Sequence, residues 1–172
     1  MENQASSKNT ILNFGVYTGL SSVILTLILY ALGIYANPGI AMAIIGIIIP
    51  ATILVLGIRN FKSKNNGFLT WGQGVKVGVG IALIWGLIAI GFTLLLEQVI
   101  SPELIEQKLE ASRTLMQNFG ATEEIIEQEI EKARNQNPFV ASSFGLIFLV
   151  FIGFVISAIA SAIMKKSEEE VY

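Results

Sequence analysis

The sequence contains no cysteine and no histidine. Without cysteine the chain can form neither a disulfide nor a thiolate nucleophile. Without histidine it lacks the side chain that most often acts as a general base near neutral pH. The same two residues are the principal ligands of zinc and of haem iron. We therefore expect no catalytic residue, no metal site and no cofactor in this chain.

Charged residues are scarce as well, at 14% of the 172 residues, whereas soluble domains carry about 25%. They are absent from three long stretches, residues 9–58, 77–96 and 135–164. A helix in water needs a polar face, but a helix that crosses a bilayer needs about 20 mostly apolar residues. Each stretch meets that length and the first can hold two spans, which predicts an integral membrane protein.

The predicted fold class is an all-α membrane bundle, a single membrane domain over residues 1–172. Its four predicted spans cover residues 11–35, 40–58, 71–96 and 139–164. Asn37-Pro38-Gly39 is a turn signal, so the first two spans should form a tight hairpin. Thr70 and Gln73 match a capping box at the start of the third span. The first apolar run is too long for a cleaved signal peptide, so we expect a retained span.

Residues 97–137 are polar, acidic and helix-prone, which predicts an amphipathic two-helix loop outside the membrane. Ser101-Pro102-Glu103 predicts a helix start, with the serine as N-cap and the proline at the first helical position. Gly120 predicts the stop before a second helix. Clustered glutamates can bind calcium, but a solvated acidic face with local ion pairs, such as Glu131 with Arg134, is the favoured interpretation.

The basic residues outside that loop all fall on one side of a four-span topology. They are Lys8, Arg59, Lys62, Lys64, Lys76, Lys165 and Lys166. Because cytoplasmic segments are enriched in Lys and Arg, we predict that both termini are cytoplasmic, including a short acidic tail at residues 167–172. The acidic loop then lies outside. A net charge of −2 gives no indication of nucleic-acid binding.

Small residues recur at four-residue spacing in the third predicted span. They are Gly74, Gly78, Ala82 and Gly86, and the fourth span has a shorter matching stripe that includes Gly153 and Ser157. Such stripes let two helix backbones approach closely. Packing inside one chain is the favoured interpretation, and self-association or contact with a partner's helix is the alternative.

Hydroxyl side chains form a line along the first predicted span, comprising Thr18, Ser22, Thr26 and Tyr30. One interpretation is a polar path for a solute. The favoured one is that these hydroxyls bond to carbonyls of the preceding turn or to neighbouring helices. No charged residue lies deep in any predicted span, which argues against a proton-coupled transporter.

Residues 66–78, NGFLTWGQGVKVG, resemble the signature of a bacterial family of small four-span membrane proteins, domain-of-unknown-function family 4199. The resemblance extends to the Ser101-Pro102-Glu103 helix start and to Asn137-Pro138-Phe139 before the last span. Gln73 and Lys76 fit positions that are polar or basic in that family. The resemblance implies a multi-pass protein of the bacterial cytoplasmic (inner) membrane, and it brings no activity or site residues with it.

These observations favour an uncharacterised, non-enzymatic accessory or scaffold protein that associates through its glycine-rich helix faces. The alternative is a small homo-oligomeric channel or carrier for a small solute. The expected partners are the lipid bilayer and either a second copy of the chain or another membrane protein. An enzyme is the least favoured class, because no nucleophile and base can be paired in the sequence.

Overall fold

The computed structural model describes residues 6–166, so the expected acidic tail at residues 167–172 lies outside the described part. The described chain folds into six α-helices, with a π-helical turn directly after the third. The elements are α1 Ser7–Ala31, α2 Gly39–Lys64, α3 Trp71–Leu95, the π turn Leu96–Ile100, α4 Glu103–Asn118, α5 Glu123–Asn135 and α6 Pro138–Met164.

Four helices are long and apolar enough to cross a membrane, namely α1, α2, α6 and α3 with its π turn. This confirms the predicted all-α fold of a multi-pass membrane protein. The bounds differ from the prediction at several ends: the first helix begins at Ser7, and the third span runs on to Ile100 through the π turn. The first helix ends at Ala31, because Gly33 adopts a φ of +68° that stops it. The second runs on to Lys64, so its last turn carries Lys62 and Lys64.

The third helix lies at the centre of the bundle and contacts each of the other three spans. The buried core surrounds its first half, which is the half near the α2–α3 connection. The core residues are Leu54, Ile58, Phe61, Leu69, Val77, Ile81, Ala82, Trp85 and Ala160. Outside this core, most large side chains of α2 and α6 are exposed on the bundle surface, as expected of helices that face lipid.

Close approach between α3 and its neighbours depends on small residues. Ser157 and Ser161 of α6 occupy the space that a Cβ atom would need at Gly78 and Gly74. On the opposite side of α3 the glycine belongs to the neighbouring helix and the larger side chain to α3. A Cβ atom at Gly15 of α1 would lie 2.6 Å from Ile84 Cβ. The helices therefore interlock through glycine on one side and a larger side chain on the other.

The connector between α2 and α3, residues 65–70, is bound to the end of α6. Leu69 and Lys166 exchange two backbone hydrogen bonds of 3.0 and 2.9 Å. Lys62 Nζ donates a third, of 2.7 Å, to the carbonyl of Met164. The predicted capping box is present, with Thr70 and Gln73 bonded reciprocally. We call this end of the bundle the connector side.

The opposite end carries α4 and α5, which together we call the outer hairpin. The two helices pack on each other, and their buried apolar residues are Leu104, Ile126 and Ile130. Two ion-pair groups also join the helices. Arg113 contacts Glu123 at 2.9 Å and Glu127 at 2.7 Å, and Arg134 contacts Glu106 at 2.6 Å. The expected pair of Glu131 with Arg134 is thus wrong, because Arg134 reaches across to α4 instead of along its own helix.

Candidate functional site on the hairpin side

The π turn forms the last residues of the third span, directly before the outer hairpin. Its hydrogen bond runs from the amide of Ser101 to the carbonyl of Leu96 at 2.8 Å, five residues back. Such turns are rare and occur often at functional sites. Two polar residues at this point are buried, Glu97 at 9% exposure and Ser101 at 2%.

Glu97 joins three segments through one carboxylate oxygen. The hydroxyl of Tyr35, in the turn between α1 and α2, donates to Glu97 Oε1 at 2.6 Å. The Nζ atom of Lys108, on α4, donates to the same oxygen at 2.8 Å. The Glu97 side chain is 11% exposed and that of Lys108 is 45% exposed. A mostly buried carboxylate therefore connects the outer hairpin to the first pair of spans.

Ser101 makes a second connection beside the first. Its hydroxyl lies 2.6 Å from the hydroxyl of Tyr30, near the end of α1. The predicted N-cap role of this serine is wrong, because α4 has Pro102 at its N-cap position and no side-chain cap. The serine hydroxyl instead forms its hydrogen bond with Tyr30 of α1, which fixes the start of α4 against that helix.

The environment of Tyr35 favours its neutral, protonated form. Burial is the main cause that raises the pKa of this phenol, followed by the hydrogen bond to Glu97 and the negative charge of Glu97. A phenol that donates to a carboxylate loses the bond when it ionises, so this contact holds the proton on Tyr35. Tyr35 is thus a stable donor at neutral pH.

A cleft of about 520 Å³ opens beside Glu97, between the end of α3, the outer hairpin and the start of α6. Its polar lining consists of Thr93, Glu97, Gln98, Lys108, Arg134, Gln136 and Ser142. Its apolar lining consists of Ile90, Leu94, Ile105, Leu109, Ala133, Pro138 and Ala141. The cleft is therefore lined by polar and apolar side chains from both the span ends and the outer hairpin. We call Ile90, Leu94 and Ala141 near the span ends its apolar wall, and Glu97, Gln98, Lys108, Arg134 and Gln136 its polar wall.

The hydroxyl line of α1 lies partly inside the bundle. Thr18 is buried and donates to the carbonyl of Phe14 at 2.6 Å. Ser22 accepts a hydrogen bond of 2.7 Å from Trp85 Nε1 on α3. Thr26 is half-buried, and Tyr30 bonds to Ser101. Three of the four hydroxyls thus have partners within the described protein.

The small residues singled out in the sequence lie at the contact between α3 and α6. Gly153 of α6 faces Ala82, just as Ser157 faces Gly78. Gly86 is close to Leu146, whose Cδ1 atom would lie 2.6 Å from an added Cβ. The stripe is therefore filled by a helix of the same chain. In the part of the chain that the structure describes, no cluster of acidic residues has the geometry of a metal site.

A family model described as "Protein of unknown function (DUF4199)" matches residues 13–166. The chain belongs to this family. The match spans nearly all of the described DUF4199 chain, from α1 through the outer hairpin to the connector-side end of α6, and it confirms the family resemblance found in the sequence. No curated protein and no solved structure matches the chain.

The grouping of Glu97 with Tyr35 and Lys108 is the feature of this DUF4199 chain that sequence reasoning missed. One signal was present, because Glu97 is the first charge after the uncharged residues 77–96. An acid at that point can simply mark the end of a span. Its partner Tyr35 lies 62 positions away and carries no charge, so no local pattern links the two.

Proposed function

We propose that this protein is a non-enzymatic accessory or scaffold protein of the bacterial cytoplasmic membrane, whose spans hold the outer hairpin in position for a partner protein. The observation that supports this proposal most directly is the set of contacts made by Glu97. A single carboxylate binds Tyr35 of the α1–α2 turn and Lys108 of α4. An outer module that is fixed to the spans in this way can transmit or resist a partner's movement, whereas a module on a free tether cannot.

The surface of the outer hairpin suits a partner with a basic face. Glu124 and Glu131 of α5 are exposed, and within the described residues neither forms an ion pair. At the tip, Phe119 is 83% exposed and Leu115 is 56% exposed. Unpaired acids can select a partner by charge, and an exposed aromatic side chain on the same hairpin can anchor it by apolar contact.

Association through the glycine-rich face of α3 receives less support. Gly78 and Gly74 already contact Ser157 and Ser161 of the same chain. A partner's helix would have to displace α6 to use that face. The outer hairpin needs no such displacement, so we assign the associating surface to it.

The proposed orientation puts both termini and the connector in the cytoplasm, with the outer hairpin on the other side. It is supported by the distribution of basic residues. Lys62, Lys64 and Lys166 gather on the connector side, where Leu69 pairs with Lys166. A cytoplasmic excess of Lys and Arg is the usual determinant of topology.

The test is the native mass of the protein, extracted from its own membrane into lipid nanodiscs. We expect a complex with a different chain. The double variant Glu124→Lys, Glu131→Lys should dissociate it, because two charges on the proposed face are reversed. Ser63→Lys, which adds a positive charge at an exposed position of the connector side, should leave it intact. A lone monomer, or equal dissociation by both variants, would contradict the proposal.

The channel or carrier alternative predicts a homo-oligomer in the same measurement. Its proposed path is the hydroxyl line of α1, yet Ser22 of that line is bonded to Trp85 inside the bundle. No feature of the described structure specifically favours it over the accessory role. A homo-oligomer of defined size would favour the channel or carrier over the accessory role.

A further inference from the structure

The cleft beside Glu97 lies where the third span ends and the outer hairpin begins. Its apolar wall includes Ile90 and Leu94 of α3, and Ala141 near the start of α6. Its polar wall begins at Glu97, which is seven residues beyond Ile90 and therefore about 10 Å further along the helix axis. A molecule in this cleft thus meets apolar side chains of the spans and, further along the helix axis, charged side chains.

The polar wall contains both signs of charge. Lys108 and Arg134 line it as cations, and each already has a carboxylate partner, Glu97 at 2.8 Å and Glu106 at 2.6 Å. The amides of Gln98 and Gln136 add N–H donors to the same wall. Because the two ion pairs leave little net charge, the wall suits a zwitterionic group better than a purely anionic one.

One acceptor on this wall is unused. Glu97 Oε1 takes both the Tyr35 hydroxyl and Lys108 Nζ, whereas Oε2 accepts no hydrogen bond from the described residues. Oε2 is also not sealed inside the protein, although the residue as a whole is buried. A carboxylate oxygen with spare acceptor capacity in a partly enclosed cleft favours a ligand that carries an N–H donor.

We propose that this cleft binds one phospholipid of the hairpin-side leaflet that carries a primary-amine headgroup. The ammonium donates to Glu97 Oε2, and the phosphate lies near Arg134 and the two glutamine amides. The acyl chains leave along Ile90 and Leu94 toward the bilayer. A cleft of about 520 Å³ is within the size range of small-molecule sites and holds a headgroup, while the chains remain in the membrane.

The choice of a primary amine follows from hydrogen bonding. An ammonium carries three N–H donors, whereas a choline headgroup has none and is bulkier. Because a charge-assisted hydrogen bond is stronger than a neutral one, the amine lipid should be retained about tenfold or more over the choline lipid. This inference is independent of the accessory role, because a lipid can occupy the cleft whether or not a protein binds the hairpin.

The test is native mass spectrometry of the full chain released from nanodiscs that contain phosphatidylethanolamine, phosphatidylcholine and phosphatidylglycerol with identical acyl chains. We expect one retained lipid per chain, with phosphatidylethanolamine favoured at least about tenfold over phosphatidylcholine. Equal retention of these two lipids, or preference for the anionic phosphatidylglycerol, would overturn the proposal.

Two variants locate the site. Glu97→Gln should abolish the preference for the primary amine, but it also weakens the contacts to Tyr35 and Lys108. Ala141→Trp avoids that difficulty, because it fills the apolar wall while the Glu97 carboxylate stays in place, and it should remove the retained lipid. Ala162→Trp is its matched control, an exposed alanine of α6 on the connector side. Lipid loss in Ala162→Trp, or lipid retention in Ala141→Trp, would place the lipid elsewhere and overturn the assignment.

Discussion

Tyr35 donates a hydrogen bond of 2.6 Å to Glu97, although 62 positions separate them in the chain. The bond joins the α1–α2 turn to the π turn at the end of α3, and Lys108 extends it to the outer hairpin. Three segments at this end of the bundle therefore share one mostly buried carboxylate.

The first prediction concerns the ionisation of Tyr35. Burial and Glu97 raise its pKa above the ordinary value of 10.0, so the contact stabilises the folded protein fully below about pH 10. That contribution is lost as the pH rises through the pKa of the folded state. We expect Glu97→Gln to lower the pKa of Tyr35, because the charge and the strong acceptor are removed.

Alkaline titration followed by tyrosinate absorbance measures this, and Tyr35→Phe identifies the transition that belongs to Tyr35. An unchanged titration curve in Glu97→Gln would show that the carboxylate does not act on the phenol.

The second prediction compares two glycines of α3. Gly78→Ala should destabilise the protein by about 1–3 kcal/mol, because the new methyl group meets the side chain of Ser157. Gly91→Ala is the matched control, since nothing lies within 4 Å of a Cβ atom there. It should be neutral or stabilise by up to about 1 kcal/mol through helix propensity. Thermal unfolding in detergent measures both, and equal destabilisation would argue against the α3–α6 contact.

The third prediction concerns the hydrogen bond between Trp85 and Ser22. Ser22→Ala leaves the indole N–H without its acceptor, and we expect a loss of about 0.6–1.7 kcal/mol, as for other hydrogen bonds between membrane helices. Ser21→Ala is the control, because Ser21 bonds only to the Thr18 carbonyl of its own helix.

Unfolding measurements should separate these two variants, and the Trp85 fluorescence of Ser22→Ala should shift in a Trp71→Phe background. If both serine variants behave alike, Ser22 does not serve as the acceptor across the helices.

The fourth prediction concerns topology. The chain has no cysteine, so a single introduced cysteine reports its own position. On intact cells an impermeant thiol reagent should label Gln128→Cys on the outer hairpin and should not label Ser63→Cys on the connector side. Both positions are exposed in the folded chain, so burial does not explain a difference. The reverse labelling pattern would invert the proposed orientation.

The four spans were predictable because their signal is local. An uncharged stretch such as residues 77–96 is long enough to cross a bilayer whatever it packs against. The Thr70–Gln73 capping box was equally local, since its two residues bond to each other across one helical turn. Helix ends were less predictable, as the π turn after Leu95 shows, because a local pattern does not reveal how a helix end is held.

Among the site residues, too, the local sequence pattern was predictable and the contacts with distant segments were not. The stripe containing Gly78 was visible in the sequence, but its occupant, Ser157, is set by which helix packs there. Ser101 resembled a cap because its neighbours form a helix start, yet its hydroxyl faces Tyr30 from a different helix. Contacts between distant segments depend on the tertiary arrangement, so the Glu97 site became visible only in the folded structure.

The most direct measurement is the distance distribution between spin labels on the spans and on the outer hairpin. Labels at Ile40→Cys, an 81% exposed position at the start of α2, and at Gln128→Cys on α5 report how firmly the hairpin is held. Pulsed electron-spin resonance in nanodiscs should give one narrow distribution, which Glu97→Gln broadens. A distribution that is already broad, or one that Glu97→Gln leaves narrow, would contradict the claim that Glu97 fixes the hairpin to the spans.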